Sequence, residues 1–355
     1  MKLNYYTGKL FVVVGRFQPL HIEHENLFEK IISDMENNDR LLVIVGSSNK
    51  VMSMKNPYHV GKRKAWLDIF LKKAFSLDLI QDKPYDIADM KDFDYMDDMW
   101  EDELHKIVSG YSNKREVIFC SSKKEGDDEL RASWARGCET RGYETDSDLS
   151  ATDIRNILCS GNDFNILKNY LNTSLSDVLN SGHVTGFLRN TYEFAENYKR
   201  SFSSTPFPVQ YAATDIVLRD REGNYLFIVR GGDIGEGATA LVGGFLEEGL
   251  TSWENTKKEL LEEANINLNV VPHNIITSWY CSELGRSVRG RMTTEVFLVE
   301  IDYSFKNMSY IKAGDDAKDV LTFTEEEVHN ISLFSDHYGL FLKVLDREKK
   351  GIYYS

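Results

Sequence analysis

The first part of the chain alternates short apolar runs with residues at helical spacing. Leu10–Val14 is rich in β-branched residues, too short for a buried helix and ended by Gly15, which is typical of a buried parallel strand. After Pro19, four apolar residues recur at helical spacing: Leu27, Phe28, Ile31 and Ile32. Leu41–Val45 then predicts a second buried strand. Strand, helix and strand in this order predict a right-handed βαβ unit.

Two histidines, His21 and His24, stand at the predicted start of the first helix. Because they are three residues apart, they share a face of the helix, and the helix N-terminus favours an anion there. Ligands of parallel sheets bind at the carboxyl ends of the strands, where Gly15 and Gly46 both lie. The pattern predicts a site for phosphate chemistry, although histidine pairs also occur at helix starts without any function.

The hydrophobic pattern changes after a short segment that contains Pro206 and Pro208. Alternation typical of strands follows, in VQYAATDIVL and NYLFIVR. We therefore predict a first α/β domain over residues 1–185, a helical linker over 186–208 and a second domain over 209–355.

A crowded set of carboxylates marks the second domain. Thr251 and Glu254 form a capping box that predicts a helix start, and three glutamates then fall on one face of this helix: Glu259, Glu262 and Glu263. Carboxylates this close repel one another unless a divalent cation binds them, and oxygen ligands favour magnesium or manganese. Gly243 and Gly244 would bring backbone close to such a site. The alternative interpretation is a solvated acidic helix face.

Composition narrows the classes of partner. The chain has 355 residues, 42% of them hydrophobic, and a net charge of -14, which argues against wrapping DNA or RNA. The four cysteines show no paired spacing, so neither a disulfide framework nor a zinc site is indicated. No signal peptide or membrane span is evident, so we expect a cytoplasmic protein without a membrane partner. The oligomeric state stays open, a homo-oligomer included.

The string GRFQPLHIEH resembles the G-R-F-Q-P-(F/L)-H-x-G-H signature of archaeal and bacterial nicotinamide mononucleotide adenylyltransferases. This resemblance implies a Rossmann-like nucleotidyltransferase domain with a parallel sheet, in which His21 and His24 are catalytic. It also implies that ATP contacts the preceding loop residues: Gly15, Arg16, Phe17 and Gln18. Glu23 departs from the signature, which has glycine there. We expect its carboxylate to repel a triphosphate unless it turns to solvent or meets a metal.

Three further segments resemble motifs of the same family. SATDIR resembles its S-x-T-x-(I/V)-R motif, which implies phosphate contacts from Ser150 and Thr152 and a catalytic arginine fork at Arg155. The other two segments are KNPYHVGKRKAWL and DFDYMDDMW. Their resemblance implies contacts to nicotinamide mononucleotide from Asn56, Tyr58, Arg63 and, by stacking, Trp100. Without the family, these segments predict a helix cap, a turn before a basic helix, and an acidic helix start with a buried tryptophan.

Residues 243–266 resemble the Nudix box, with departures at Leu250, Lys258 and Asn265. The resemblance implies an α/β/α sandwich with a mixed sheet, in which Glu262 and Glu263 are catalytic. The implied metal ligands are Gly243, Glu259, Glu262 and Glu263. RSVRGR and GDDAKDV imply contacts to ADP-ribose from Arg286, Arg289, Arg291 and Asp316, with Asp315 as a further ligand or base. Both segments are equally compatible with ordinary polar loops.

Together the motifs resemble bifunctional nicotinamide mononucleotide adenylyltransferase/Nudix hydrolases along nearly the whole chain. That family would join ATP and nicotinamide mononucleotide into NAD, and hydrolyse ADP-ribose to AMP and ribose 5-phosphate with magnesium or manganese. Two alternatives remain. The second domain could be a non-catalytic ADP-ribose sensor or hydrolyse another nucleoside diphosphate derivative, and the first could transfer a nucleotidyl group to another acceptor.

Overall fold

The computed structural model describes residues 8–76, 84–123, 134–147, 149–160, 164–232, 234–314 and 316–354. The chain divides into two compact units. The first comprises Met1–Ser48, Met54–Asp92 and Asp98–Asn190, and the second comprises Asn49–Ser53, Phe93–Asp97 and Thr191–Ser355.

The first unit contains a parallel sheet of five strands in the order β3-β2-β1-β4-β5. The strands are β1 (Lys9–Gly15), β2 (Arg40–Val45), β3 (Tyr85–Asp89), β4 (Glu116–Ser122) and β5 (Glu139–Tyr143). Val13 pairs with Val43 on one side and with Cys120 on the other, so β1 is central. Strand order reverses between β1 and β4, which is where open parallel sheets bind ligands. The predicted Rossmann-like parallel fold is confirmed.

Helices cover both faces of this sheet. Phe11 and Val13 pack in one core with Phe28 of the first helix, whereas Leu10 and Val12 pack in the opposite core, because successive strand residues face opposite sides. The helices are α1 (Ile22–Asp34), α2 (Val60–Ala74), α3 (Asp97–Ser112), α4 (Ala151–Ser160), α5 (Leu175–Asn180) and α6 (Gly182–Ser201). A short 3-10 helix spans Phe164–Asn169.

The second unit is built on a mixed sheet in the order β10-β11-β6-β7-β12, with β8 paired to β7 and β9 to β6. Only the β6–β11 pairing is parallel among the pairings of described strands in this sheet. The strands are β6 (Gln210–Arg219), β7 (Asn224–Arg230), β8 (Thr239–Ala240), β9 (Val242–Phe245), β10 (His273–Cys281), β11 (Arg291–Ile301) and β12 (Ala317–Thr324).

Helices pack on opposite faces of the mixed sheet. Leu260 of α7 (Ser252–Ala264) is buried with Leu226, and Phe341 of α9 (His337–Lys349) contacts Phe227, the next strand residue. A short helix, α8, spans Glu325–Val328, and a 3-10 helix spans Phe305–Asn307. The predicted sandwich with a mixed sheet is confirmed.

The predicted limits of the helical linker, residues 186 and 208, stay predictions. In the structure, α6 continues past Asn190, where the first unit ends, and β6 begins at Gln210. Among the described helices, none has the length and apolar character that crossing a membrane requires.

Two candidate active sites

The loop after β1 is held in a fixed shape by close packing. A Cβ added at Gly15 would lie 2.8 Å from the Phe17 ring, so glycine is needed there. Phe17 adopts a left-handed backbone with φ 51, and its ring is buried. The Gln18 amide makes two hydrogen bonds with the Tyr58 backbone, donating at 3.0 Å and accepting at 2.9 Å. These contacts leave the loop little freedom to move when a ligand arrives.

The rings of the two histidines lie against each other at the start of α1, tilted by 31°. Their ring centroids are 3.7 Å apart, and the His24 ring meets the Phe17 ring edge-on at 4.9 Å. The Nδ1 atom of His24 accepts the backbone N–H of His21 at 3.3 Å, so a neutral His24 carries its proton on Nε2. Two imidazoles at the positive end of a helix can donate hydrogen bonds to negative charge that develops on a phosphate.

Arg155 joins the motif on α4 to this loop. Its guanidinium donates to the Gln18 carbonyl at 2.8 Å and to the Thr152 hydroxyl at 2.9 Å. Burial lowers the pKa of Arg155, and the nearby guanidinium of Arg16 lowers it further. Ser150 donates its backbone N–H and its hydroxyl to Asp153, at 2.8 and 2.6 Å. Two neighbouring guanidinium groups repel each other, and an anion bound between them would relieve that repulsion.

Arg63 lies beneath the loops of this site. It is 1% exposed and donates to four backbone carbonyls: those of Arg16 at 2.8 Å, Gly46 at 2.7 Å, Ser47 at 3.1 Å and Tyr58 at 3.0 Å. Burial lowers the pKa of Arg63 to about 10, and Asp92 opposes that shift. The guanidinium thus supports the loops from inside, and its predicted contact to the mononucleotide stays a prediction.

The other residues predicted to bind the mononucleotide have different surroundings. The Tyr58 hydroxyl is buried and has no hydrogen-bond partner among the described residues. Asn56 is half-buried on the same turn. Trp100 lies on α3, where its ring packs against Trp134 with centroids 4.9 Å apart. Trp100 packs on the sheet face that carries Leu10 and Val12, and its stacking on nicotinamide stays a prediction.

Glu23, which departs from the family signature, has a buried and hydrogen-bonded carboxylate. It is buried, and its carboxylate accepts the backbone N–H of Asp146 at 3.1 Å and the hydroxyl of Ser147 at 2.7 Å. The carboxylate therefore does not turn to solvent, and its predicted repulsion of a triphosphate stays a prediction. Helical geometry explains this position, because a residue between two positions that share a face points away from them.

The second candidate site forms around α7. The predicted capping box of Thr251 and Glu254 is confirmed, and α7 begins at Ser252. Glu263 is 6% exposed and accepts the Gly243 backbone N–H at 3.1 Å. Burial raises the pKa of Glu263 to about 8, although its bond to Gly243 opposes the shift. A Cβ at Gly244 would lie 2.5 Å from Glu259 Oε1, so the glycine loop passes directly against these carboxylates.

Lys258 neutralises part of this cluster. Its Nζ atom lies 2.6 Å from Glu262 and 3.0 Å from Glu247. Within the described ranges, no three acidic, histidine or cysteine side chains converge on one position that could hold a metal ion. The oxygen donors fit a hard divalent cation, but Glu262 must leave Lys258 to join Glu259 and Glu263 around it. These residues and the Gly243 carbonyl remain the proposed ligands.

The departure from the Nudix box at Asn265 has a structural explanation. Asn265 adopts the left-handed conformation, with φ 57 and ψ 32, and ends α7. Asparagine is the residue other than glycine that most often takes this position. Its side chain also donates to the Tyr310 carbonyl at 2.8 Å. Asn265 therefore preserves the helix end that glycine provides in the family.

The predicted ADP-ribose arginines differ in their surroundings. Arg286 is buried and forms an ion pair with Asp336 at 2.5 Å. Arg289 places its guanidinium over three aromatic rings: Phe194 at 5.2 Å, Tyr198 at 5.7 Å and Phe245 at 5.7 Å. The Nη1 atoms of Arg286 and Arg291 are buried and have no hydrogen-bond partner among the described residues. Asp316 precedes β12, and Asp315 lies outside the described residues.

Arg230, at the end of β7, belongs to this site but was not predicted from the sequence. Its guanidinium lies 4.4 Å from the centroid of the Phe334 ring. Burial lowers the pKa of Arg230, the Glu263 carboxylate opposes this shift and the Arg289 guanidinium adds to it. Arg230 therefore lies near both of these charges. The available sequence signal was a cation at the end of an apolar strand run, directly before Gly231.

Comparison with known proteins gives sequence matches over part of the chain. Residues 12–157 match a family model described as cytidylyltransferase-like. A nicotinamide-nucleotide adenylyltransferase from Saccharolobus solfataricus is 35% identical over 105 residues, which cover 30% of this chain and 54% of that protein. One from Archaeoglobus fulgidus is 22% identical over 169 residues, or 47% of this chain and 87% of that protein.

A solved structure matches nearly the whole chain. A bifunctional adenylyltransferase/ADP-ribose pyrophosphatase from Francisella tularensis, complexed with AMP and a manganese ion, covers 96% of this chain and 99% of its own. Its TM-score is 0.78 at 24% sequence identity. The resemblance stated from the sequence is therefore confirmed at the level of the fold, and this chain has the two-domain fold of that bifunctional protein.

Proposed function

We propose that the first unit transfers an adenylyl group from ATP to nicotinamide mononucleotide, giving NAD and pyrophosphate. The observation that carries this proposal is the close pair of His21 and His24 at the carboxyl end of a parallel sheet, beside Arg16 and Arg155. The resemblance to adenylyltransferases, in sequence over the first unit, supports the same reaction. Its test is formation of NAD from ATP and nicotinamide mononucleotide.

The geometry suits an in-line displacement without a covalent enzyme intermediate. The phosphate of the mononucleotide attacks the α-phosphorus of ATP, and pyrophosphate leaves. His21, His24 and the two arginines would donate hydrogen bonds to the leaving group, so catalysis consists of positioning and charge stabilisation. Magnesium bound with ATP would neutralise part of the triphosphate charge.

We further propose that the second unit hydrolyses ADP-ribose to AMP and ribose 5-phosphate. Arg230 and Arg289 would bind the diphosphate, since Arg230 lies near both Glu263 and Arg289. The α7 carboxylates would hold magnesium or manganese, which activates water and stabilises the leaving oxygen. The Gly243 backbone keeps the Glu263 carboxylate in place for this role.

A sensor that binds ADP-ribose without hydrolysis is the second candidate. The ion pair between Lys258 and Glu262 favours it, because that pair withdraws one of the proposed metal ligands. Release of AMP from ADP-ribose, measured with magnesium and with manganese, separates the two. Hydrolysis with either metal supports the enzyme, whereas tight binding without AMP release supports the sensor.

Small molecules are the proposed partners: ATP, nicotinamide mononucleotide, NAD and ADP-ribose. A cytoplasmic location is proposed with them, because the cytosol supplies these nucleotides and keeps thiols reduced.

A further inference from the structure

Glu23 and its partners connect two motifs that are distant in sequence. Its carboxylate binds the backbone of Asp146 and the hydroxyl of Ser147, across a separation of 123 and 124 residues. Glycine, which the family signature has at this position, offers no side chain for such contacts. The substitution therefore adds an interaction to the first unit.

Two more residues of α1 contact the same segment, the turn at residues 144–147. Asn26 donates to the Asp146 carboxylate at 3.2 Å, and Lys30 donates to that carboxylate at 3.1 Å and to the Glu144 carbonyl at 2.7 Å. Residues 23, 26 and 30 lie on one helix face. The Lys30 ion pair is largely exposed, so water and salt weaken it. The buried Glu23 is the firmer of these attachments.

The turn leads directly into the second motif. The Ser147 hydroxyl donates to Glu23 and also accepts the backbone N–H of Leu149 at 3.3 Å. Ser150 follows, and its hydrogen bonds to Asp153 begin α4. Glu23 is thus linked through Ser147 and Leu149 to the segment whose Thr152 hydroxyl accepts a hydrogen bond from Arg155.

We propose that Glu23 is a positioning residue that fastens this turn to α1, so that Ser150 and Thr152 are already in place when the ATP phosphates bind. Glu23 itself touches neither ATP nor the mononucleotide. This role rests on the proposed adenylyl transfer. The proposal predicts the direction in which ATP affinity changes. If Glu23 positions the turn, removing its carboxylate should weaken ATP binding; if Glu23 repelled the triphosphate, removing it would strengthen ATP binding.

Three variants of the full-length chain test this role. Glu23→Ala removes both hydrogen bonds, Glu23→Gln keeps the shape and can still accept from Asp146, and Glu29→Ala removes an exposed carboxylate from the same helix. We expect Glu23→Ala to raise KM for ATP about tenfold, the lower end for losing hydrogen bonds to a charged group, with a smaller change in kcat. Glu23→Gln should stay within about threefold of wild type, and Glu29→Ala should match wild type.

Amide hydrogen exchange gives a readout that does not need activity. In Glu23→Ala, the amides of Asp146 and Leu149 should exchange about tenfold faster, while Glu23→Gln retains most of the protection. Unchanged exchange at both amides, or a KM for ATP that falls, would overturn the proposal. If wild type forms no NAD, the adenylyl transfer proposal fails by itself, and exchange together with calorimetric ATP binding still decides the role of Glu23.

Discussion

Replacing Arg63 by methionine should destabilise the first unit. Methionine fills a similar volume but donates no hydrogen bonds, so the carbonyls of Arg16, Gly46 and Ser47 lose the Arg63 guanidinium as their partner. The Tyr58 carbonyl still accepts from the Gln18 amide. An unsatisfied buried polar group costs about 1–3 kcal/mol. Three such groups set a ceiling of about 9 kcal/mol by this range, and we expect loop relaxation and water entry to reduce the loss to roughly 4 kcal/mol.

Calorimetry of the full-length chain measures this loss. A change of 4 kcal/mol should lower the melting temperature of a unit of this size by roughly 8–16 °C. Lys64→Met is the matched control, since Lys64 is the next residue on α2 and pairs with Asp89 only near the surface. The control should shift the melting temperature by no more than about 3 °C. Unchanged stability in Arg63→Met, together with a raised KM for nicotinamide mononucleotide, would refute the supporting role and favour direct ligand contact.

Three further substitutions separate the two sites. His24→Ala should lower kcat for NAD formation by at least about a hundredfold and leave AMP release unchanged; unaltered NAD synthesis would contradict its role. Arg230→Gln should raise KM for ADP-ribose roughly tenfold to a hundredfold, whereas the exposed Arg221→Gln should not, and equal KM values would remove Arg230 from the site. Glu262→Gln should abolish AMP release but spare NAD synthesis and melting temperature without metal; an active variant would place the metal elsewhere.

Local sequence signals located the main elements of the fold. The apolar run at Leu10–Val14 became β1, and the capping box at Thr251 set the start of α7, because both depend on neighbouring residues in the chain. The contact between the two histidine rings was likewise predictable, since residues three apart at a helix start share a face. Such signals work where the interaction partner lies within one turn of helix or one strand.

Long-range partners could not be predicted in this way. Glu23 binds residues more than 120 positions away, and nothing in its neighbourhood indicates them. Arg63 looked like a basic residue on a helix, yet its burial depends on loops from three parts of the chain. Arg230 lies near Glu263 and Arg289, which are more than 30 positions away in the sequence. Each of these contacts is a property of the folded chain.

The most direct test of the account is a product assay on the intact wild-type chain. Given ATP, nicotinamide mononucleotide and magnesium, it should form NAD and pyrophosphate in equal amounts, and His24→Ala should suppress both products. Given ADP-ribose with magnesium or manganese, it should release AMP and ribose 5-phosphate, and Glu262→Gln should suppress them. A wild-type chain that forms no NAD, or whose NAD synthesis does not depend on His24, would contradict the central claim.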